Sequence, residues 1–319
     1  MKYLRHSRAM ALSLLVLVVL ATLLVDSVVV SADGNIFLRG ADHRVLNIAH
    51  AGAASIAPQN TIIAGEKALA VGADLWGIDT RLTKDGVFIL MHDATLTRTT
   101  NAAEVFPDRG PWEVKDFTLK EIERLDAGSW FLRDDPFGQI AAGSVPAEDQ
   151  RAYVGVKVPT LREALLFTRE HNWRMDIEVK AMDYVTAAEI ADKLVALIHA
   201  TGMEDRVMVS SFDTKILRAV KEIDSKVPTA ALVFLPPLDA ASFLADLGAD
   251  GYEPSPIAFS SHLAQDLVAQ GYGVYVWTYN DQEKLRSLAQ DPGVTGIYTD
   301  FPQRLHSILV ELHDGEQDR

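Results

Sequence analysis

The chain has 319 residues, 48% of them hydrophobic, no cysteine, and a formal charge of −14 at neutral pH. This composition supplies a large core and excludes disulfides, thiolate nucleophiles and cysteine-bound metals. The acidic balance, with no long basic run past the N-terminus, excludes a nucleic-acid surface, which needs clustered Lys and Arg to neutralise phosphates. The length accommodates two average domains, or one α/β barrel of roughly 250 residues with additions.

In chain order, Lys2, Arg5 and Arg8 precede an uncharged run from Ala9 to Val25, and Val30-Ser31-Ala32 supplies small residues suited to signal peptidase. Residues 1–32 read as a cleaved signal peptide or as an uncleaved N-terminal anchor. Either places the remainder outside the cytoplasm, secreted or periplasmic, and the second adds membrane association. From Val45 onward, β-rich runs alternate with helical patterns. Strands are expected at Val45–Ala49, Leu75–Asp79, Val87–Met91, Met175–Val179, Val207–Ser210, Thr229–Phe234, Gly251–Glu253 and Val274–Trp277. Between them fall helical stretches such as Thr61–Val71, Leu161–His171, Thr186–Thr201 and His262–Gln270, with Gly72, Gly202 and Gly271 placed as C-terminal stops. Eight strands alternating with helices predict a closed TIM (β/α)8 barrel over about 43–312. A turn-rich insertion at about 95–159, after the third strand, forms a small subdomain. Its aromatic residues Trp130, Phe131 and Phe137 either pack it onto the barrel or meet an acyl chain, and packing is the plainer reading. Residues 313–319 read as a charged tail.

In such a barrel, chemistry collects at the C-terminal ends of the strands. Those ends carry His50, then Asp79, then His92-Asp93, then Glu178-Val179-Lys180, Ser210-Ser211-Phe212 and Trp277-Thr278-Tyr279-Asn280. Strand alternation sends Glu178 and Lys180 to one face, where buried charges need partners. Each residue also has a bland reading: a histidine ending a strand, an Asp shaping a turn, an ion pair lining the barrel, a core tryptophan. Their convergence on one rim is what favours a site. Two histidines, two carboxylates and a lysine can bind a divalent cation and move protons, which is the inventory of phosphodiester hydrolysis.

The ordered blocks "IAHAGA", "APQNT", "KALAVGAD", "LTKDGVFILMHDATLTRTTN", "LDAGSWF", "VPTLREAL", "DIEVK", "VSSFD", "VWTYN" and "IYTDFP" resemble the glycerophosphodiester phosphodiesterase family over nearly all the chain beyond the first segment. The resemblance implies a TIM barrel capped by a small insertion. It also implies hydrolysis of a small-molecule phosphodiester of glycerol, with Mg or Ca at the centre. It casts His50 and His92 as the general acid/base pair, Asp79 and Glu178 as metal carboxylates, Lys180 as the phosphate lysine and Trp277 as a pocket aromatic. Three positions depart from the family pattern. Ala51 stands in place of an arginine, Gln59 in place of a glutamate, and Gly77 in place of a metal carboxylate. Losing one cation and two anions together reads as a rebuilt pocket. Two other outcomes suit the same residues: a phospholipase D-like lyase releasing a cyclic phosphate, and a non-catalytic ligand-binding barrel.

Overall fold

The computed structural model describes Phe37 and residues 44–317. The targeting segment expected over residues 1–32 lies outside the described residues. Strands β1 (Leu46–His50), β2 (Leu75–Leu82), β4 (Met175–Val179), β5 (Val207–Ser211), β6 (Thr229–Val233), β7 (Gly251–Pro254), β8 (Gly273–Val276) and β9 (Gly296–Thr299) pair in parallel, and β1 closes the ring on both β9 and β2. The expected (β/α)8 barrel is therefore present.

One ring strand differs from the expectation. The run Val87–Met91 gives β3 (Phe88–Leu90), which pairs antiparallel with β2 and hangs outside the ring. Only Thr83–Val87 separates the two, and Thr83 and Val87 close that turn with a 2.9 Å backbone bond. So short a link can make a hairpin but not a crossover to a parallel neighbour, which needs a dozen residues or more. The eighth ring strand is instead β9, a run of four residues after the Asp291-Pro292-Gly293 turn.

Side-chain caps fix where the helices begin. Thr61 accepts the Ala64 N–H ahead of the helix Ile62–Ala70, and the Thr160/Glu163 and Thr186/Glu189 capping boxes open Leu161–Glu170 and Ala187–Thr201. Gly202 ends the last of these at φ 65°, a left-handed position that suits glycine. The C-terminal helix Pro302–Gln317 runs through most of the expected tail, so residues 313–317 are helical. Among the described residues, no helix is long and apolar enough to cross a membrane.

The main core lies between the ring and the helices, with Trp76, Leu161, Leu165, Ile190, Leu194 and Leu217 all buried. Inside the ring, Leu46, Ile48, Leu75, Met208, Tyr275 and Tyr298 fill the lower lumen and leave only the upper end open. The insertion carries its own apolar centre around Leu96, Phe117, Ile122 and Leu125. Trp130 and Phe131 are buried against Ala57, Ala64 and Tyr153, and Phe137 meets Phe301 edge-on at 5.7 Å. These aromatics seat the insertion on the barrel, as the plainer reading has it.

Candidate active site

A cavity of about 190 Å³ opens at the C-terminal end of the ring. All six expected site residues line it: His50, Asp79, His92, Glu178, Lys180 and Trp277. Asp79 and Glu178 are register partners on β2 and β4, so the two carboxylates arrive side by side. The Lys180 ammonium lies between them, 2.7 Å from Asp79 Oδ1 and 2.5 Å from Glu178 Oε1. Asn60, held at φ 56°, clamps Asp79 from the other side: its Nδ2 donates to Oδ2 at 2.6 Å and its Oδ1 accepts the Asp79 N–H at 3.0 Å. Burial opposes ionisation of Asp79, but Lys180 and both histidines outweigh it and hold the carboxyl below its usual range. Burial and the neighbouring Asp79 push Glu178 up, with Lys180 opposing. Burial works against the Lys180 charge, yet the two carboxylates raise its pKa.

Each histidine is oriented through Nδ1. His50 Nδ1 lies 2.7 Å from Asp300 Oδ1, and Asp300 is held in turn by Asn280, whose Nδ2 donates at 2.7 Å and whose Oδ1 accepts the Asp300 N–H at 2.9 Å. Burial lowers the proton affinity of His50, but Asp300, Asp79 and Glu178 overcome it, so the net shift is upward. His92 Nδ1 lies 2.7 Å from Asp93 Oδ1, and Arg98 grips Asp93 through two bonds of 2.6 and 2.9 Å. Asp93 is accordingly depressed to about 2, chiefly by Arg98. Arg81 Nε donates to the His92 carbonyl at 2.9 Å. Both imidazoles thus leave Nε2 for a ligand.

The departures from the family pattern have structural counterparts. Gln59 Oε1 accepts from Arg98 at 3.2 Å and so joins the support behind His92. Ala51 is buried and left-handed at φ 52°. At Gly77, a Cβ would come within 2.7 Å of the Tyr298 ring, so the tyrosine occupies the room a side chain at 77 would need. Beneath the site, Asp176 and Glu253 are almost wholly buried; Asp176 accepts from Ser210 at 2.8 Å and Glu253 from the Tyr298 hydroxyl at 3.0 Å. The other Asp176 oxygen, Oδ1, has no hydrogen-bond partner among the described residues.

The sequence reading assigned no role to Asp300, Asn280, Asn60, Arg98, Tyr298, Asp176 or Glu253. The signal for Asp300 was β9: once that run is a ring strand, the residue ending it belongs to the rim. Asn60 and Arg98 act from loops, where strand-end reasoning does not reach.

A (β/α)8 barrel with two carboxylate-oriented histidines, an ammonium and paired acids at its mouth has the make-up of a phosphoric diester hydrolase. Residues 50–304 match the model of the glycerophosphoryl diester phosphodiesterase family. The chain is 32% identical to the glycerophosphodiester phosphodiesterase of Bacillus subtilis (strain 168) over 95% of its own length and 98% of the relative's. It is 32% identical to that of Caldanaerobacter subterraneus subsp. tengcongensis over 83% and 98% of the two chains. Among solved structures it resembles the glycerophosphodiester phosphodiesterase of Agrobacterium tumefaciens str. C58, with a TM-score of 0.61 at 27% identity over 82% and 99%. It shares its fold with an Oleispira antarctica phosphodiesterase solved with its product sn-glycerol-3-phosphate, with a TM-score of 0.70 at 24% identity over 84% and 98%. The chain belongs to the glycerophosphoryl diester phosphodiesterase family.

Proposed function

We propose that the chain hydrolyses a glycerophosphodiester outside the cytoplasm, with His50 and His92 as the acid/base pair. The observation that carries this reading is the pair of imidazoles on one cavity, each tied through Nδ1 to a carboxylate, with Lys180 lining the same cavity. Lys180 spends two of its three N–H bonds on Asp79 and Glu178 and has one left for a phosphoryl oxygen. The acids around His50 favour its imidazolium, which suits it to protonate the leaving alkoxide. His92 takes a proton from the attacking water; the new bond forms between that water oxygen and phosphorus as the ester oxygen departs. Trp277 walls the pocket, its indole N–H bonded to the Glu253 carbonyl at 2.8 Å.

The divalent cation that the resemblance implies, Mg or Ca, would fall to Asp79 and Glu178. The donor set does not fit a resident ion as it stands. The Lys180 ammonium fills the space between the two carboxylates, Gly77 offers no third, and no group of three metal-ligating side chains forms among the described residues.

Purified protein, stripped with chelator and then supplied with Mg or Ca, tests both points on a panel of soluble glycerophosphodiesters, with 31P NMR of the products. The expected product is a phosphomonoester; a persistent cyclic phosphate would rule out direct hydrolysis. His50→Ala and His92→Ala should each lower kcat by roughly 10²–10⁴-fold, and an intact rate in either ends the two-histidine mechanism. Export is checked by cell fractionation and by the N-terminal mass of the mature chain.

A further inference from the structure

We propose that the floor of the lumen is a subsite for a primary ammonium, so that the enzyme selects phosphodiesters whose leaving alcohol carries an amine. This rests on the phosphodiesterase reading above and assigns its alcohol specificity to Asp176, with Ser210, Tyr298 and Glu253 around it.

The four residues belong to the wall of the catalytic cavity, although each is almost wholly buried and Asp176 is only 2% exposed. Strand register joins this floor to the chemistry above it. His50, Gly77 and Asp176 are register partners across β1, β2 and β4, so they stand in one row of the ring. In the reading above, His50 protonates the leaving oxygen. Gly77 lines the cavity between His50 and Asp176 with backbone alone, and the Tyr298 ring beside it carries its hydroxyl on to Glu253. An alcohol departing beside His50 therefore has its far end directed along this row to Asp176.

The donors and acceptors of the floor select the group at that end. Ser210 Oγ donates to Asp176 Oδ2 at 2.8 Å, and the Tyr298 hydroxyl donates to Glu253 Oε1 at 3.0 Å. Asp176 Oδ1 has no hydrogen-bond partner among the described residues. What remains for a ligand is acceptors: that oxygen and the lone pairs of the two hydroxyls. A buried acceptor without a donor is destabilising, and a ligand that brings donors relieves it. A primary ammonium has three N–H donors and no acceptor. A hydroxyl brings one donor with lone pairs of its own, and a trimethylammonium brings no donor. Charge points the same way. Beside the two histidines, the carboxyls of Asp79, Asp176, Glu178 and Glu253 line the cavity against the single Lys180 ammonium. A phosphodiester adds another negative charge, which an ammonium on the same molecule offsets.

The test measures kcat/KM of wild type and Asp176→Asn on glycerophosphoethanolamine, glycerophosphocholine and glycerophosphoglycerol. Calorimetry on wild type alone compares phosphoethanolamine with propyl phosphate, which has a methyl group where the amine stands. Wild type should prefer glycerophosphoethanolamine to either other substrate by about tenfold or more, and should bind phosphoethanolamine the tighter by about as much. In Asp176→Asn the amide keeps the Ser210 bond but turns a donor toward the ligand, so the preference should fall by about tenfold. Equal kcat/KM on the three substrates, or equal binding of the two phosphates, overturns the proposal and leaves the phosphodiesterase reading standing. So does a preference that Asp176→Asn leaves intact. Calorimetric Ca binding that Asp176→Asn abolishes, with no preference for the amine, would identify the floor as a metal site and also overturn it. A wild type that hydrolyses none of the three yet binds phosphoethanolamine the tighter keeps the subsite and counts against the phosphodiesterase reading instead.

Discussion

The upper and lower layers of the barrel lumen both carry buried carboxyls and treat them oppositely. In the upper layer Asp79 and Asp300 meet cationic partners, Lys180 and His50, and both carboxyls are held below their usual range despite burial. In the lower layer Asp176 and Glu253 meet only the neutral hydroxyls of Ser210 and Tyr298. Burial lifts Asp176 to about 7 and Glu253 well above its ordinary value. Burial is common to all four, so the partner's charge decides the sign. Glu178 lies between these cases: it shares Lys180 with Asp79 and is raised. A carboxyl here is thus held below its usual range only where a cation reaches it and outweighs burial and the neighbouring acids.

The largest expected effect comes from pushing a charge into the lower layer. Gly77→Glu restores the carboxylate of the family pattern, but its Cβ would sit 2.7 Å from the Tyr298 ring, with Asp176 Oδ2 3.8 Å away. Overpacking costs about 1–3 kcal/mol, and a further acid with no cationic partner adds to that. We expect a loss of at least about 3 kcal/mol in urea unfolding at pH 7, partly recovered by adding Tyr298→Ala. Unchanged stability with new calorimetric Ca binding would mean that Tyr298 gives way readily and the two layers are not distinct.

A smaller effect is expected in the upper layer from Asp300→Asn. The amide can still bond Asn280 but no longer supplies the negative charge that raises His50. In the proposed mechanism His50 is the acid and must be protonated, so the alkaline limb of kcat/KM should move to lower pH. At the wild-type optimum the rate should fall by about tenfold or more, a cost of about 1.4 kcal/mol in the transition state. An unmoved alkaline limb would remove His50 from the acid role.

How much of this was legible in the sequence follows from how each residue reaches the site. His50, His92, Glu178, Lys180 and Trp277 stand at or near strand ends and Asp79 lies on β2 beside Glu178, and alternation with barrel geometry is enough to gather them. Asp300 was hidden because Gly296–Thr299 is short, while the longer run Val87–Met91 took its place in the count of eight. The hairpin link of that run was the available clue. The lower layer was hidden for a different reason. In the block Asp176-Ile177-Glu178-Val179-Lys180 every charged residue points inward, but only depth separates the member that meets Lys180 from the one that meets Ser210. Depth depends on register between strands, which one strand's sequence does not encode. The pairing of Gly77 with Tyr298 spans β2 and β9 and needed the closed ring.

The last effect belongs to Asp176 and is read from the slope of stability against pH. Its folded pKa of about 7 lies above the ordinary value, so between those two limits the folded protein binds more protons than the unfolded chain. The stabilisation from holding this proton is complete below the unfolded pKa and is lost as pH rises through about 7. Wild-type Tm should therefore decline from pH 5 to pH 8 by more than in Asp176→Asn. That variant keeps the Ser210 bond and places a neutral amide where a carboxylate would otherwise have to ionise. The two proteins should lie closest near pH 5, with the variant gaining relative to wild type toward pH 8. Parallel curves would show that Asp176 stays ionised throughout, which requires a cation near its unpartnered Oδ1 and would place the lower layer under the same rule as the upper.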